Sequence, residues 1–346
     1  MATLRERITA PAHLELPVPV GGLVFRAGSR QDLDAVHALA VAAAAVDDPH
    51  ARPSTDDFER TLSTEGLEVE RDTVVGVDAE GHVQAFGIVI DVPSRVTAAR
   101  VFLEGTVHPA VRGLGIGRRV FAWQVGRARQ RLAALDVDLP ASIDVGAPQG
   151  ASALRLAARF GFSPTRNWID MEAVLDGSDG SDGSGRSAVP PLPEGFVVRP
   201  ATADDIEPLR LAKNDAFRDH WGSQPMVESD WRGFLTASKS RLDLSRIVVG
   251  PDGAIVAFAI VEVDPDAFAA RGRSFAYVHW VGVVRSARGL GLAPVVTDAA
   301  LRAVRSDGLS AAVLHVDAEN PSGAGRIYER LGFVSGAVEV TASTPL

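Results

Sequence analysis

The stretch Val283-Val284-Arg285-Ser286-Ala287-Arg288-Gly289-Leu290-Gly291-Leu292-Ala293-Pro294 decides how this chain is read. It has a counterpart upstream, Val107-His108-Pro109-Ala110-Val111-Arg112-Gly113-Leu114-Gly115-Ile116-Gly117-Arg118. Each follows a β-rich run, near Arg100 to Val107 and near Ser274 to Val284. Each opens a long helical pattern, near Ile116 to Leu135 and near Leu292 to Ser306. Glycines at such a turn let main-chain N–H groups approach an anion with no Cβ in the way. The helix N-terminus adds unpaired donors and a partial positive charge. Pro294 suits a first helical turn, where a missing N–H costs nothing. Both turns therefore read as cradles for a pyrophosphate. The dinucleotide pattern G-x-G-x-x-G would need glycine where Arg118 and Pro294 stand, and no Gly-Lys-Ser/Thr of a P-loop is present. A plain tight turn accounts for one such element more easily than for two at matching places.

The matching extends beyond the turns. LVFRAGSRQDL from Leu23 parallels FVVRPATADDI from Phe196, and the run around Gly81 parallels that around Gly253. ALRLAARFGF, ending at Phe162, parallels GRIYERLGF, ending at Phe333. Four blocks in the same order imply a duplicated domain. Between the copies, DGSDGSDGSGRSAVPPLPEG (176–195) is Gly/Ser-rich and then Pro-rich, a surface linker with almost nothing to bury. The expected organisation is a domain over 1–175, a linker over 176–195 and a domain over 196–346. Each copy should begin with a short strand and a helix capped by Ser29 or Thr202, the latter with Asp205 in a capping box. A hairpin turning at Glu80-Gly81 or Asp252-Gly253 should follow. Strands and helices mixed in this order make an α/β (α+β) fold with a mixed, largely antiparallel sheet flanked by helices.

Composition bounds the function. The net charge of −9 argues against a general nucleic-acid binder, which would carry a basic stripe. With no cysteine there is no disulfide, no thiolate metal site and no Cys acyl-enzyme, and no metal is expected. The N-terminus lacks the apolar run of a signal peptide, and no segment approaches a membrane span of about 18 apolar residues. The expectation is a cytoplasmic protein with no membrane partner, monomeric or homodimeric.

The motif R-x-x-G-x-G/A after a strand ending in V-x-P-x-x resembles the signature of the GCN5-related N-acetyltransferase (GNAT) family. Val107 to Gly117 fits it closely; Val283 to Ala293 fits with Arg285 in place of proline. Asn320-Pro321 followed by Ile327-Tyr328-Glu329-Arg330-Leu331-Gly332-Phe333 is similar to the family's N…LYE-x-x-GF helix. The resemblance implies acetyl-CoA as cosubstrate and transfer of its acetyl group to a small amine. It implies a CoA-binding set of Val283, Val284, Arg285, Arg288, Gly289, Leu290, Gly291, Leu292 and Ala293 in the second copy. In the first copy the corresponding set is Val107, His108, Arg112, Gly113, Leu114, Gly115, Ile116, Gly117 and Arg118. Asn320 would hold the pantetheine or phosphate arm, and a main-chain N–H near Val283 or Val284 would serve the oxyanion. Tyr328, at the family's tyrosine, would be the acid that protonates the departing sulfur.

Amine acetylation needs a neutral nucleophile, although an alkylamine at pH 7 is almost wholly protonated. His279 has a suitable intrinsic pKa and resembles the strand histidine used as base by aromatic-amine members of the family. Alternation predicts that His279, Val281 and Val283 share a face. Glu262 and His315 are weaker candidates for the base. By the block offsets, Tyr328 falls opposite Ala157, His279 opposite Leu103 and Asn320 opposite Gln149. The first copy is therefore expected to be catalytically silent. The region Lys213 to Arg241, with Asp215, Asp219, His220, Trp221, Glu228, Asp230 and Trp231, is expected to shape the acceptor pocket by ion pairing and cation–π contact. A non-catalytic acyl-CoA sensor is the rival class.

Overall fold

A computed structural model describes residues 2–47, 53–92, 94–176, 189–319 and 323–346. The chain forms two compact units, Met1–Arg166 with Glu339–Leu346, and Asn167–Val338. These bounds differ from 1–175 and 196–346, because each unit takes a strand from the other half of the sequence. Of the expected linker, residues 177–188 lie outside the described residues.

The first unit runs α1 (Leu4–Arg7), β1 (Val24–Ala27), α2 (Leu33–Asp47), α3 (Thr55–Leu62), α4 (Val69–Asp72), β2 (Thr73–Val77) and β3 (Val83–Asp91). It continues through β4 (Ala99–Val107), α5 (Ile116–Ala133), β5 (Ala141–Pro148) and α6 (Ser152–Ala158). The second unit holds most of β6 (Ser163–Val174), then β7 (Val197–Pro200), α7 (Ile206–Ala216), α8 (Glu228–Leu235), β8 (Arg246–Val249) and β9 (Ile255–Glu262). After them come α9 (Phe268–Arg271), β10 (Phe275–Val283), α10 (Leu292–Ser306), β11 (Ala311–Asp317) and α11 (Ala324–Arg330). The closing strand β12 (Val334–Pro345) lends Glu339 to Pro345 to the first unit, antiparallel to β5. Conversely, Trp168 to Val174 of β6 lie antiparallel to β11 in the second. The strand orders are β1-β2-β3-β4-β5-β12 and β6-β11-β10-β9-β8-β7. The pairings are antiparallel except β4 with β5 and β10 with β11.

The duplication is visible atom by atom. Asp32 accepts from the Ser29 N–H at 2.9 Å and pairs with Arg26. Asp205 accepts from the Thr202 N–H at 2.8 Å and pairs with Arg199 at 2.7 Å. The Arg199 hydrogen bond, against the opposing effect of burial, holds the Asp205 carboxyl down at about 2. Gly81 and Gly253 turn the two hairpins at φ 87° and 82°, a region glycine adopts without strain. In each unit the sheet is packed on both faces. In the second, α10 and α11 cover Met171, Ala259, Val278 and Leu314, while Leu209, Trp231 and Leu235 of α7 and α8 cover Ile247, Phe258 and Ile260.

One local difference separates the copies. In the first unit β3 and β4 stay in register from Ala85–Val107 to Asp91–Val101. In the second, Val278 faces Val261 and Trp280 faces Ile260, so His279 is an extra residue, a β-bulge. His279 thus has no counterpart in the first copy. Leu103, paired with Val89, corresponds by register to Val278, and Glu104, paired with Ile88, corresponds to Trp280. The bulge also corrects the expected alternation. His279 and Trp280 both face α8, against Phe234, whereas Val281 and Val283 face α10. A bulge is invisible to period-2 reading, because one added residue reverses the faces beyond it.

Beyond the bulge, Gly282 lets β10 lie against Phe258. A Cβ there would stand 2.4 Å from Phe258 Cζ, inside a packed core. Gly282→Ala is expected to cost about 1–3 kcal/mol of overpacking strain. Denaturant unfolding of the full chain measures it, with Gly233→Ala, where a Cβ meets nothing within 4 Å, as the contrasting variant.

Candidate active site

The site is built around strands that separate. β10 and β11 pair only from Phe275–Ala311 to Tyr277–Val313, after which β10 runs on to Val283 with no strand on that edge. β11 leaves toward β6, which it follows as far as Asp317–Trp168. The Val284 N–H donates to Val256 O at 2.9 Å. In an antiparallel ladder neighbouring amides point to opposite edges, so the Val283 N–H points into the opening. Of the two expected oxyanion donors, Val283 is available and Val284 is taken. The first unit opens likewise, after β4 and β5 pair from Ala99–Ala141 to Phe102–Asp144.

Each opening leads to a glycine elbow. Gly289 and Gly291 have φ of 82° and 72°, and Gly113 and Gly115 of 82° and 84°. Gly291 caps α10 and Gly115 caps α5, while Leu292 and Ile116 are buried and anchor the first helical turns. A Cβ built on Gly289 or Gly113 would meet nothing within 4 Å, whereas one on Gly291 would touch Pro190 at 3.4 Å and one on Gly115 would touch Val20 at 3.8 Å, so each elbow is open at its first glycine. Leu290 and Leu114 are exposed there, with Ala293, Gly117 and Arg118 on the first turns that follow. The flanking arginines are drawn to acidic ends of the first helices. Arg285 and Arg288 lie 2.9 and 3.4 Å from Asp219, the Arg285 N–H donates to Asp215, and Arg112 chelates Asp47 at 2.6 and 2.7 Å. His108 accepts from the Ala110 N–H at 3.3 Å, tightening the first elbow. Asn320 lies outside the described residues. Two open elbows with unpaired helix-terminal donors fit the diphosphate of a nucleotide thioester.

The proton-transfer candidates lie on opposite faces of the second unit's sheet. Tyr328 of α11 sits in the core on the α10 face, edge-on to Phe333, and burial pushes its phenol well above the ordinary value. It is therefore protonated at neutral pH. Its C-terminal position is that of Ala157: the Phe333 N–H donates to Tyr328 O as the Phe162 N–H does to Ala157 O. On the other face, His279 Nδ1 lies 2.8 Å from Glu262 Oε2, and no described residue contacts Nε2 through a hydrogen bond. In the first unit the comparable face carries Glu104, whose carboxyl is raised first by burial and then by Glu339.

The acceptor region departs from expectation. Trp231 is fully buried, its indole N–H bonded to Ile206 O at 2.7 Å, so it is core. Asp215 and Asp219 are committed to the elbow, and Glu228 pairs with Arg232 on the surface. Asp230 accepts from the Ser229 hydroxyl. His220 and Trp221 lie against Trp168, a residue from the other half of the sequence that no local pattern marks. Lys213 is 4% exposed, its ammonium between Phe217 and Trp280 with Gln224 O at 3.2 Å. Burial lowers its pKa to about 8. Among the described residues no metal-binding group of acids and histidines exists, and no helix is long and apolar enough to cross a membrane.

An open elbow at a helix N-terminus, a strand edge that parts from its neighbour and a buried phenol are the features that the resemblance to GNAT acetyltransferases calls for. Comparison with known proteins agrees. The acetyltransferase (GNAT) family matches residues 206–333. A mycothiol acetyltransferase of Thermobispora bispora is 33% identical over 68% of this chain and 74% of its own length. One of Pseudarthrobacter chlorophenolicus is 29% identical over 84% and 82%. The crystal structure of a GCN5-related N-acetyltransferase from Sphaerobacter thermophilus shares the fold, with a TM-score of 0.71 at 24% identity over 96% of this chain and 97% of that one. The chain belongs to the GNAT family of acetyltransferases. It is an N-acetyltransferase, and acetyl-CoA is its acyl donor.

Lys213 yields a stability test. Its pKa is lower folded than unfolded, so its contribution is present above about pH 10.5 and lost as pH falls through about 8. Relative to Lys213→Met, the native chain is expected to gain on the order of 1–3 kcal/mol between pH 8 and 10.5. Unfolding curves of both proteins across that range measure it.

Proposed function

We propose that the second unit carries the chemistry and acetylates a primary amine of a small molecule, and that the first unit is catalytically silent. The observation that carries this reading is the bulge at His279, which stands beside the β10–β11 opening in the second unit and is absent from the first. The elbow Arg288 to Ala293 receives the diphosphate, and Arg285 and Arg288 exchange Asp219 for phosphate oxygens. The Val283 N–H donates to the thioester oxygen as negative charge grows on it. His279 Nε2 takes the amine proton, while Glu262 holds Nδ1 and stabilises the imidazolium. Tyr328 supplies a proton to the sulfur. In the first unit Ala157 replaces the tyrosine and the bulged histidine is missing, which leaves an elbow without proton transfer. Similarity to mycothiol acetyltransferases along most of the chain makes the unacetylated precursor of mycothiol the first acceptor to try.

The test is CoA release by the full chain against that precursor and a panel of primary amines, from α-amino amides to alkylamines. His279→Ala and Tyr328→Phe should each lower kcat by about 10²-fold or more, the usual scale of general acid–base catalysis. Unchanged turnover in both variants would remove these roles, and no release with any amine would favour a sensor. A side chain in the left-handed conformation strains an elbow. Gly289→Val should therefore abolish measurable turnover, while Gly113→Val should leave it within about twofold. The reverse pattern would move the chemistry to the first unit.

A further inference from the structure

Where β10 and β11 separate, a second histidine stands beside Tyr277. The parallel register sets Tyr277 beside Val313, and His315 follows two residues on along β11. His279 and His315 lie on the face opposite α10, since Ala312, Leu314 and Val316 occupy the α10 side. His315 is not an isolated surface residue. The Tyr277 hydroxyl lies 3.1 Å from its Nδ1, and Asp170 Oδ1 lies 3.4 Å from its Nε2. Asp170 is its register partner on β6, so the sheet itself fixes the pair. Tyr277 and His279 are edge-to-face neighbours, with ring centres 5.4 Å apart.

We propose, resting on the amine-acetylation reading above, that Tyr277, His315 and Asp170 form a relay that takes the first proton from an acceptor arriving as an ammonium ion. Direct transfer of acetyl to an ammonium is impossible, because its nitrogen has no free electron pair. Two protons must leave that nitrogen in all. In the first transfer an ammonium N–H bond breaks and its electron pair stays on nitrogen. The proton passes to the Tyr277 oxygen as the Tyr277 hydroxyl proton passes to His315 Nδ1. The imidazolium is stabilised by Asp170 and releases its proton to water, since the His315 side chain is 44% exposed. The C–N bond then forms, the second proton goes to His279, the C–S bond breaks and the sulfur gains the Tyr328 proton; His279 then gives its proton to solvent and Tyr328 takes one back, which restores both. The balance is one ammonium and one thioester to one amide, one thiol and one proton in solution. The arrangement follows the logic of a hydroxyl, a histidine and an orienting carboxylate.

The charges around the relay favour a cation. Glu262 on β9 is the register partner of Tyr277, and Asp170 and Glu172 line β6. From α9 and the residues after it, Arg271 holds Asp170 at 2.8 Å and Glu172 at 3.0 Å, and Arg273 reaches Glu172 at 3.4 Å. Against the effect of burial, the nearby His315 ring and the hydrogen bond from Arg271 keep the Asp170 carboxyl below its usual range.

The experiment uses the full chain, with an α-amino amide as the probe acceptor. Such an amine has a pKa near 8 and is neutral in roughly one molecule in ten at pH 7. Variants that must wait for the neutral form should therefore lose about tenfold in kcat/KM at pH 7 and recover to within about twofold of wild type at pH 9.5. Tyr277→Phe and His315→Asn should each show this, and the double variant should be no worse than either, as for residues acting in one unit. A loss equal at every pH, additive losses or wild-type rates at pH 7 would overturn the relay. A readout free of any acceptor separates its failure from that of the amine reading. Ring-nitrogen NMR of the ¹⁵N-histidine-labelled chain at pH 8 should show His315 neutral with its proton on Nε2, and Tyr277→Phe should shift the Nδ1 signal. His315 with its proton on Nδ1 would sink the relay even if every amine is turned over. The expected tautomer would sustain it if another acceptor class replaces the α-amino amide.

Discussion

The structure depends on two parallel strands that cannot stay together. β10 and β11 share three residue pairs and then part, and β4 and β5 share four. A strand edge with free main-chain N–H groups is normally a liability, open to pairing with any passing chain. Here that edge is kept open because β11 has its other edge committed to β6, a strand supplied from before the linker. The corresponding support for β5 is β12, supplied from the end of the chain. The halves of the sequence are duplicated, but neither half alone contains all the strands of its compact unit.

Around the opening, charge is arranged by function on two sides. At the elbow the arginines meet carboxylates from the ends of the first helices, Asp47 in one unit and Asp219 in the other. These carboxylates pair the arginines that flank each elbow. On the opposite side of β10, the polar groups are paired through histidines with Glu262 and Asp170. Tyr328 lies on the α10 face, where burial raises its phenol.

The two copies differ at few points. Both have the capped first helix, the hairpin with its positive-φ glycine, the opening and the elbow. The first lacks one residue in β4 and has alanine in place of one phenol. A one-residue insertion in a strand does more than add a side chain. It sets His279 beside Trp280, which keeps the face of Glu104, and both rings pack against Phe234 on the α8 side.

The sequence by itself determined the duplication, the elbows, the capped helices, the mixed sheet and the placement of Tyr328 on a short late helix. These are local signals: glycines where φ must be positive, an Asp three residues after a Ser or Thr cap, apolar runs of fixed period. Only the tertiary structure decided the exchange of closing strands, since pairing partners distant in sequence leave no periodic trace. It alone decided that Trp231 is core, that Asp215 and Asp219 serve the elbow, and that the Val284 amide is spent on Val256 while that of Val283 is free. It also decided that His279 is a bulge and that Tyr277, His315 and Asp170 meet, because register sets which side chains become neighbours, and register is fixed by packing between strands rather than by any one of them.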